Sequence, residues 1–415
     1  MNPLYNIGIR LYKAGAKAAS VRSAKAKEML RGQRDVFRVL KEAQAAIAPD
    51  GFDEWIHAAS LGEFEQGRPI IERVRRNHPE KKILLTFFSP SGFNVRKNYD
   101  KADVVAYLPF DTPGNVKKFL DLARPKKAIF VKYEFWGNYL EELQKRHVST
   151  YIISAIFRPG QVFFKPWGGM FRKMLGKFTR LYVQDDKSRE LLKGIGVENV
   201  EVTGDTRFDR VSDIRNAAKR IPPIETWRGE GGLCIVGGST WAPDEEILLP
   251  WLSENPEIKA IIAPHEFDSE RLKSMMMKAG EGTALMSEVL KEGKVGQNVR
   301  LIIVDSFGLL SSLYRYGDVA YVGGGFGAGI HNINEAAVYG VPVVFGPKYQ
   351  KFKEAVDMTE LGGAYSVRSV SEGREILTRL VNDDELRMNS GTKAASYIKD
   401  NIGASDRIYG DLFAE

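Results

Sequence analysis

"AYVGGGFGAGIHNINEAAVYGVPVVFGP", residues 320–347, is where the fold can be read. An apolar run ends in a glycine cluster, "HNINEAA" opens a helix, and "VPVVF" (341–345) is apolar again. Strand, turn, helix and strand in such close succession form a βαβ unit, and its strands are parallel. The pattern extends outward in both directions. Further strand candidates are 54–58, 82–87, 103–107, 127–131, 149–154 and 180–184, then 233–237, 258–263, 300–304 and 318–322. Each is short, rich in β-branched or aromatic residues, and followed by Gly, Pro, Ser or Asp. Alternation with amphipathic segments predicts an α/β protein with parallel sheets and crossover helices. The halves share this pattern without a sequence repeat. Between them "NAAKRIPPIETWRGEGG" (216–232) has the Pro, Gly and charge content of a linker. The expected organisation is a basic, partly apolar segment (1–45), a Rossmann-like domain (46–215), the linker, a second Rossmann-like domain (233–390) facing the first across a cleft, and a final helix (391–415) that crosses back.

Composition narrows the function classes. The chain has 415 residues, 43% hydrophobic and 27% charged, which describes a folded globular protein of two ordinary domains. Its single cysteine, Cys234, allows no intrachain disulfide and suits a reducing compartment. The five histidines show no close metal-ligand spacing. No run approaches the roughly 20 apolar residues of a membrane helix, and no signal-peptide h-region is seen.

The charge of +7 is unevenly placed. Residues 1–41 hold ten Lys/Arg against Glu28 and Asp35, and five more bases with no acid lie from Lys165 to Arg180. Leu4, Tyr5, Ile7, Ile9, Leu11 and Tyr12 sit among the first group, and Val162, Phe163, Phe164, Trp167, Met170 and Phe171 among the second. This mixture suits a helix on an anionic membrane surface. It equally suits a solvated basic helix, and no nucleic-acid motif accompanies it.

Ligands of open parallel sheets bind beyond the carboxyl ends of the strands, which selects four loops. "SLGEFEQG" (60–67) puts Glu63 at a helix start after a strand. A carboxylate there can take a proton from a substrate hydroxyl, although acids are common in first turns for their dipole alone. "SPSG" (89–92) offers hydroxyls and amides for a phosphate or sugar, or simple N-capping. "YEFWG" (133–137) surrounds Glu134 with aromatics that suit a sugar face or ordinary packing. In the opening stretch, Gly323, Gly325 and Ala328 meet a loose dinucleotide pattern, but such a site wants an acid about 20 residues on, and position 348 is Lys348. NAD is therefore discounted. What remains is a loop of free N–H groups suited to one phosphate, with Glu335 placed for a ribose, or a tight turn with no ligand.

The segments "WIHAASLGEFEQGRPII", "LLTFFSPSG", "YLPFDTPGNVKKFL", "YEFWGNYLEEL", "TGDTRFD", "APHEFDSERL" and the 320–347 stretch resemble, in order, the 3-deoxy-D-manno-octulosonic acid (Kdo) transferases. The resemblance spans residues 50–350 and implies a GT-B glycosyltransferase that moves Kdo from CMP-Kdo to a lipid A precursor, with no cofactor and no metal. It also implies a place on the cytoplasmic face of the bacterial inner membrane; many relatives start with a membrane-spanning anchor, whereas this chain has only the shorter basic, partly apolar segment, so surface attachment is expected. The family's Ser-x-Gly-Glu catalytic acid falls on Glu63, as general base, with Ser60 and Gly62 matching; Glu134 is kept as a supporting carboxylate in altered surroundings. CMP contacts fall on Pro264 and His265, where histidine replaces the family's arginine, on Phe307, Gly308 and Leu309, and on Asn332, Ile333, Asn334 and Glu335. Arg207 and Lys348 are candidate counter-charges for the donor phosphate. The competing readings are a GT-B transferase or epimerase using a UDP-sugar, and a non-enzymatic peripheral membrane protein.

Overall fold

The computed structural model describes residues 3–218, 220–229 and 231–414. The chain divides into two compact units, Met1–Arg210 with Ile402–Glu415, and Val211–Asn401. Each is built on a seven-stranded, all-parallel sheet with helices on both faces, the doubly wound Rossmann-like architecture of the GT-B class.

In the first unit the strands are β1 (Glu54–Ala58), β2 (Ile83–Phe87), β3 (Val104–Tyr107), β4 (Lys127–Val131), β5 (Ser149–Ala155), β6 (Arg180–Val183) and β7 (Val200–Val202). Their order is β3-β2-β1-β4-β5-β6-β7. β1 and β2 are buried along their whole length, as parallel strands covered on both faces must be. Alternate residues feed two cores. Trp55, Leu84 and Phe130 point to one face, and Ile56, Leu85 and Ile129 to the other. The first core is covered by helix α2 (Ala24–Ala46), whose Gln33, Val36, Leu40 and Ala43 form one buried helical stripe. The basic segment is therefore not uniform. α2 belongs to the unit's core, whereas α1 (Pro3–Ala19) buries no residue fully. The second core is covered by helix α3 (Leu61–Asn77) and by the C-terminal helix Ala404–Leu412, which contributes Ile408 and Leu412.

The second unit contains β8 (Cys234–Thr240), β9 (Lys259–Pro264), β10 (Thr283–Leu285), β11 (Leu301–Ile303), β12 (Val319–Val322), β13 (Val343–Phe345) and β14 (Ala364–Ser366), ordered β10-β11-β9-β8-β12-β13-β14. The stretch 216–232 carries a helix, Pro222–Arg228, fastened to this unit. Ile221 N–H donates to the Tyr316 hydroxyl (2.8 Å), Trp227 Nε1 to the Val299 carbonyl (2.7 Å), and Arg228 pairs with Asp318 (2.6 Å). Of that stretch, Lys219 and Glu230 lie outside the described residues, as do Met1, Asn2 and Glu415 at the termini. Helix Asp384–Asp400 stays with the second unit, and only from Ile402 does the chain rejoin the first.

Candidate functional site

In the first sheet the chain runs β1, β2, β3 to one side and then crosses to β4 beside β1. The loops after β1 and β4 thus flank the switch point, where doubly wound sheets open a crevice. Glu63 and Glu134 stand in those two loops.

Ser60 is the N-cap of α3 and Glu63 lies in its first turn. Their spacing is that of a capping box, yet Ser60 bonds no helix N–H; its hydroxyl donates instead to Glu63 Oε2. The half-buried carboxylate is held by that one bond, and among the described residues its Oε1 takes none. Gly92 brings the next loop alongside. A Cβ there would stand 2.3 Å from the Phe87 ring and 3.1 Å from the Ser60 carbonyl carbon, so only glycine lets Ser89 and Ser91 approach the Ser60 turn. Those hydroxyls bond each other at 2.7 Å, and neither caps the helix that follows.

Glu134 ends a buried polar chain. Trp55 Nε1 donates to Thr86 Oγ1 (2.8 Å), Thr86 Oγ1 lies 2.9 Å from His57 Nδ1, and His57 Nε2 lies 3.1 Å from Glu134 Oε2. A carboxylate only accepts, so a His57 proton is assigned to Nε2, while Nδ1 faces both the Thr86 hydroxyl and the Thr86 carbonyl (3.1 Å). Trp136 Nε1 also donates to Glu134 Oε2, at 2.5 Å. The His57 imidazole and the Trp136 indole both meet Oε2 and hold the Glu134 carboxyl in place, with Thr86 and Trp55 supporting the imidazole from behind. Lys132, at the carboxyl end of β4, holds the left-handed φ of 67°, a conformation costing of order 1–3 kcal/mol in a non-glycine residue and typical of functional turns.

Cationic groups lie near. Asp205 would be raised by burial, but Arg207 (2.7 Å) and Gln66 (3.0 Å) outweigh that and hold it below the usual carboxylate range. Arg207, a candidate phosphate counter-charge, is thus already bonded. Burial pushes the Tyr133 phenol up, against the pull of Arg158 and Arg207 and with a push from Asp205 and Glu63. Of the second basic cluster, Arg172 bonds the Phe163 and Lys165 carbonyls, Lys177 meets Gln144 and Glu141, and Arg180 pairs with Asp411. Phe163 is buried and Trp167 is exposed, so that patch is partly core.

In the second unit the glycine loop corrects one expectation. Five of the nine N–H groups from 323 to 331 are used: Gly323 bonds Gly238, Gly324 bonds Asp244, Gly327 and Gly329 bond Gly324, and His331 bonds Gly323. The glycines allow close packing. A Cβ on Gly325 would stand 2.6–2.7 Å from the Gly346 backbone. The helix opened by "HNINEAA" is short, Asn334–Ala337, so it supplies little dipole. Lys348, the other candidate counter-charge, donates to the Gly327 carbonyl (2.7 Å).

Three other features gather there. Trp241, His265 and His331 stack, with ring centroids 4.6 and 4.5 Å apart. Trp241 Nε1 donates to His331 Nε2 (3.2 Å), so the His331 proton is assigned to Nδ1; burial and then His265 push its pKa down to about 4, which keeps it neutral near pH 7. Pro264 is buried at the end of β9 and positions His265. Ser311 Oγ donates to Glu335 Oε2 (2.5 Å) and Asn332 Nδ2 to Glu335 Oε1 (3.2 Å), which ties the segment after Phe307, Gly308 and Leu309 to the turn through Ile333. Phe307 is 86% exposed and packs on Phe267. Asn334 is fully buried, and neither polar atom of its side chain has a partner.

Sequence reasoning missed His57, Thr86, Trp241 and Ser311. His57 and Thr86 are hidden in apolar strands, where period-two patterning marks them as core. Trp241 had a signal, since it directly follows a strand's carboxyl end.

Comparison with known proteins places these features. Residues 28–210 match the family model described as "3-Deoxy-D-manno-octulosonic-acid transferase (kdotransferase)". The chain is 30% identical over 337 residues to the 3-deoxy-D-manno-octulosonic acid transferase of Aquifex aeolicus, covering 79% of this chain and 86% of that one. To the Haemophilus influenzae protein of the same name it is 25% identical over 371 residues, covering 85% of each. Among solved structures it is similar to a UDP-N-acetylglucosamine 2-epimerase (TM-score 0.61, 12% identity, 87% and 95% covered) and to Acinetobacter baumannii MurG (TM-score 0.53, 12% identity, 87% and 99% covered). At such identity these show the fold alone. The relation to the Aquifex and Haemophilus proteins reaches further than fold, and the chain belongs to the Kdo transferase family of glycosyltransferases.

Proposed function

We propose that the protein is an inverting glycosyltransferase that moves Kdo from CMP-Kdo to a sugar hydroxyl of a lipid A precursor. The observation that carries this reading is the Glu63 carboxylate beyond the carboxyl end of β1, held by the Ser60 hydroxyl and open at Oε1. In this reading Glu63 takes the proton of the acceptor hydroxyl as its oxygen attacks the anomeric carbon and the bond to the CMP phosphate breaks. Attack opposite the leaving group inverts that centre. Glu134 stays fixed by His57 and Trp136 and shapes the field around the acceptor. On the donor side, Pro264, His265, Phe307, Gly308, Leu309 and Asn332 to Glu335 hold CMP. Asn334's unpartnered amide and the neutral His331 supply neutral hydrogen-bonding groups there. The donor is itself the activated sugar, so the reaction needs no further cofactor. Incubation with CMP-Kdo and a lipid A precursor yields an acceptor heavier by Kdo, read by mass; turnover of a UDP-sugar in place of CMP-Kdo overturns the assignment.

The same reading places the protein on the cytoplasmic face of the inner membrane as a peripheral protein. Among the described residues no helix is long and apolar enough to cross a membrane. α1 exposes Leu4 (71%), Ile7 (51%) and Leu11 (68%) in one stripe beside Arg10, Lys13 and Lys17. Binding to anionic liposomes therefore falls as salt rises from about 0.1 to 1 M, where the screening length shrinks from about 10 to 3 Å. Sedimentation with vesicles measures it, and binding indifferent to salt contradicts the surface attachment.

A further inference from the structure

α1 and α2 form a hairpin that encloses a cavity of about 290 Å³ in the first unit. α1 offers Lys13 and Lys17 to it, one turn apart. α2 offers Leu30, Gln33, Arg34 and Phe37, which share one face by their spacing of three, four and seven residues. Phe110 closes the wall. The lining has three cations and no acid. Among the described residues neither lysine has an ion-pair partner, and Arg34 bonds only the Leu30 carbonyl through Nε (3.4 Å).

Gln33 is the second observation. It is 5% exposed, it lines the cavity, and neither Oε1 nor Nε2 has a hydrogen-bond partner. A buried amide left unpaired is costly, and α2 could carry leucine there at no loss to its stripe. An amide donor beside three cations is a set of groups for an oxyanion with several acceptor oxygens. The apolar wall of Leu30, Phe37 and Phe110 has no use for a free ion. The volume is near the lower end of that of small-molecule sites.

We propose that this hairpin cavity is a binding site for the phosphate ester of an anionic amphiphile. Lys13, Lys17 and Arg34 neutralise the phosphate, Gln33 Nε2 donates to it, and the first carbons of the ester lie against Phe37 and Phe110. The site is distinct from Glu63 and Glu134 but linked to them by rings. Phe110 packs on Phe88 (5.7 Å), Phe88 on Trp136 (4.9 Å), and Trp136 bonds Glu134. α1 is also anchored for the purpose. The Tyr5 hydroxyl donates to buried Asp111 (2.6 Å) and accepts from Gly137 N–H (2.9 Å), and Asn138 donates to Asn6 (2.8 Å).

The test is calorimetric titration of the full chain with dihexanoylphosphatidic acid below its micelle concentration, with inorganic phosphate, and with dihexanoylphosphatidylcholine. The phosphatidic acid binds, and binds more tightly than either control. The double variant K13A/K17A, altered only at exposed positions, weakens it by roughly 2- to 30-fold, the worth of two exposed charge contacts. Gln33→Leu weakens it too while leaving the thermal midpoint equal or higher. Absence of phosphatidic acid binding overturns the site. Equal binding of inorganic phosphate removes the role of the apolar wall, equal binding of the zwitterion removes that of the cations, and K13A/K17A binding like the parent places the ligand elsewhere; each refutes the proposal.

Discussion

Glu63→Gln lowers turnover by about 10²–10⁴-fold and leaves CMP affinity unchanged. That range is the usual worth of a positioned general base, about 2.7–5.5 kcal/mol of barrier. The substitution is nearly isosteric and the new amide oxygen can still accept from Ser60, so the turn keeps its shape. Removing a first-turn charge costs the helix only about 0.3–1 kcal/mol, too little to unfold a unit whose sheet is buried on both faces. CMP binding is assigned to residues of the other unit, and calorimetry with CMP reads it separately from transfer. The diagnostic result is a loss of turnover at saturating donor and acceptor with donor affinity intact. Full turnover in the variant removes Glu63 from the chemistry. Lost donor affinity would show instead that the change acts through structure.

Eleven of the fourteen strands are legible in the sequence because they are buried. Runs such as Ile83–Phe87 are buried throughout and apolar but for Thr86, and their shortness and flanking turn residues mark them as strands. The three that are not legible, β7, β10 and β14, are three residues long and form sheet edges, and only Ala364 among their residues is fully buried. An edge strand satisfies half its backbone and little of its side-chain surface, so it leaves no hydrophobic signature. The site divides in the same way. Glu63 is found because a strand's end and a helix's start mark its loop. His57 and Thr86, which fix Glu134, are not found, since their partners come from strands separated in sequence by 29 residues or more. The glycine loop misleads for a third reason. Composition cannot distinguish N–H groups open to a phosphate from N–H groups spent on Gly238, Asp244 and Gly324, and here most are spent.

Asp209→Ala destabilises the first unit by about 3–6 kcal/mol and frees the C-terminus. Asp209 is 3% exposed, and its two oxygens accept from Gly403 N–H (2.6 Å) and Ser405 N–H (2.7 Å), the opening amides of helix Ala404–Leu412. Hydrogen bonds to a charged acceptor are worth about 1.5–3 kcal/mol each, and alanine leaves both donors unpaired, Ser405 in the interior. The helix is held elsewhere by Arg407 on the Thr203 carbonyl (2.7 Å), by Tyr182 on Asp411 (2.6 Å) and by the burial of Ile408 and Leu412, so its loss uncovers the face of α3 around Ile70, Ile71 and Val74. Urea unfolding followed through the tryptophans measures the change, and limited proteolysis near residues 400–403 reports the release. CMP binding should persist, because the second unit ends at Asn401 and keeps its own core. A variant with unchanged stability would mean that the apolar contacts alone hold this helix. Loss of CMP binding together with stability would mean that the two units unfold as one, and that the C-terminal crossing couples them energetically.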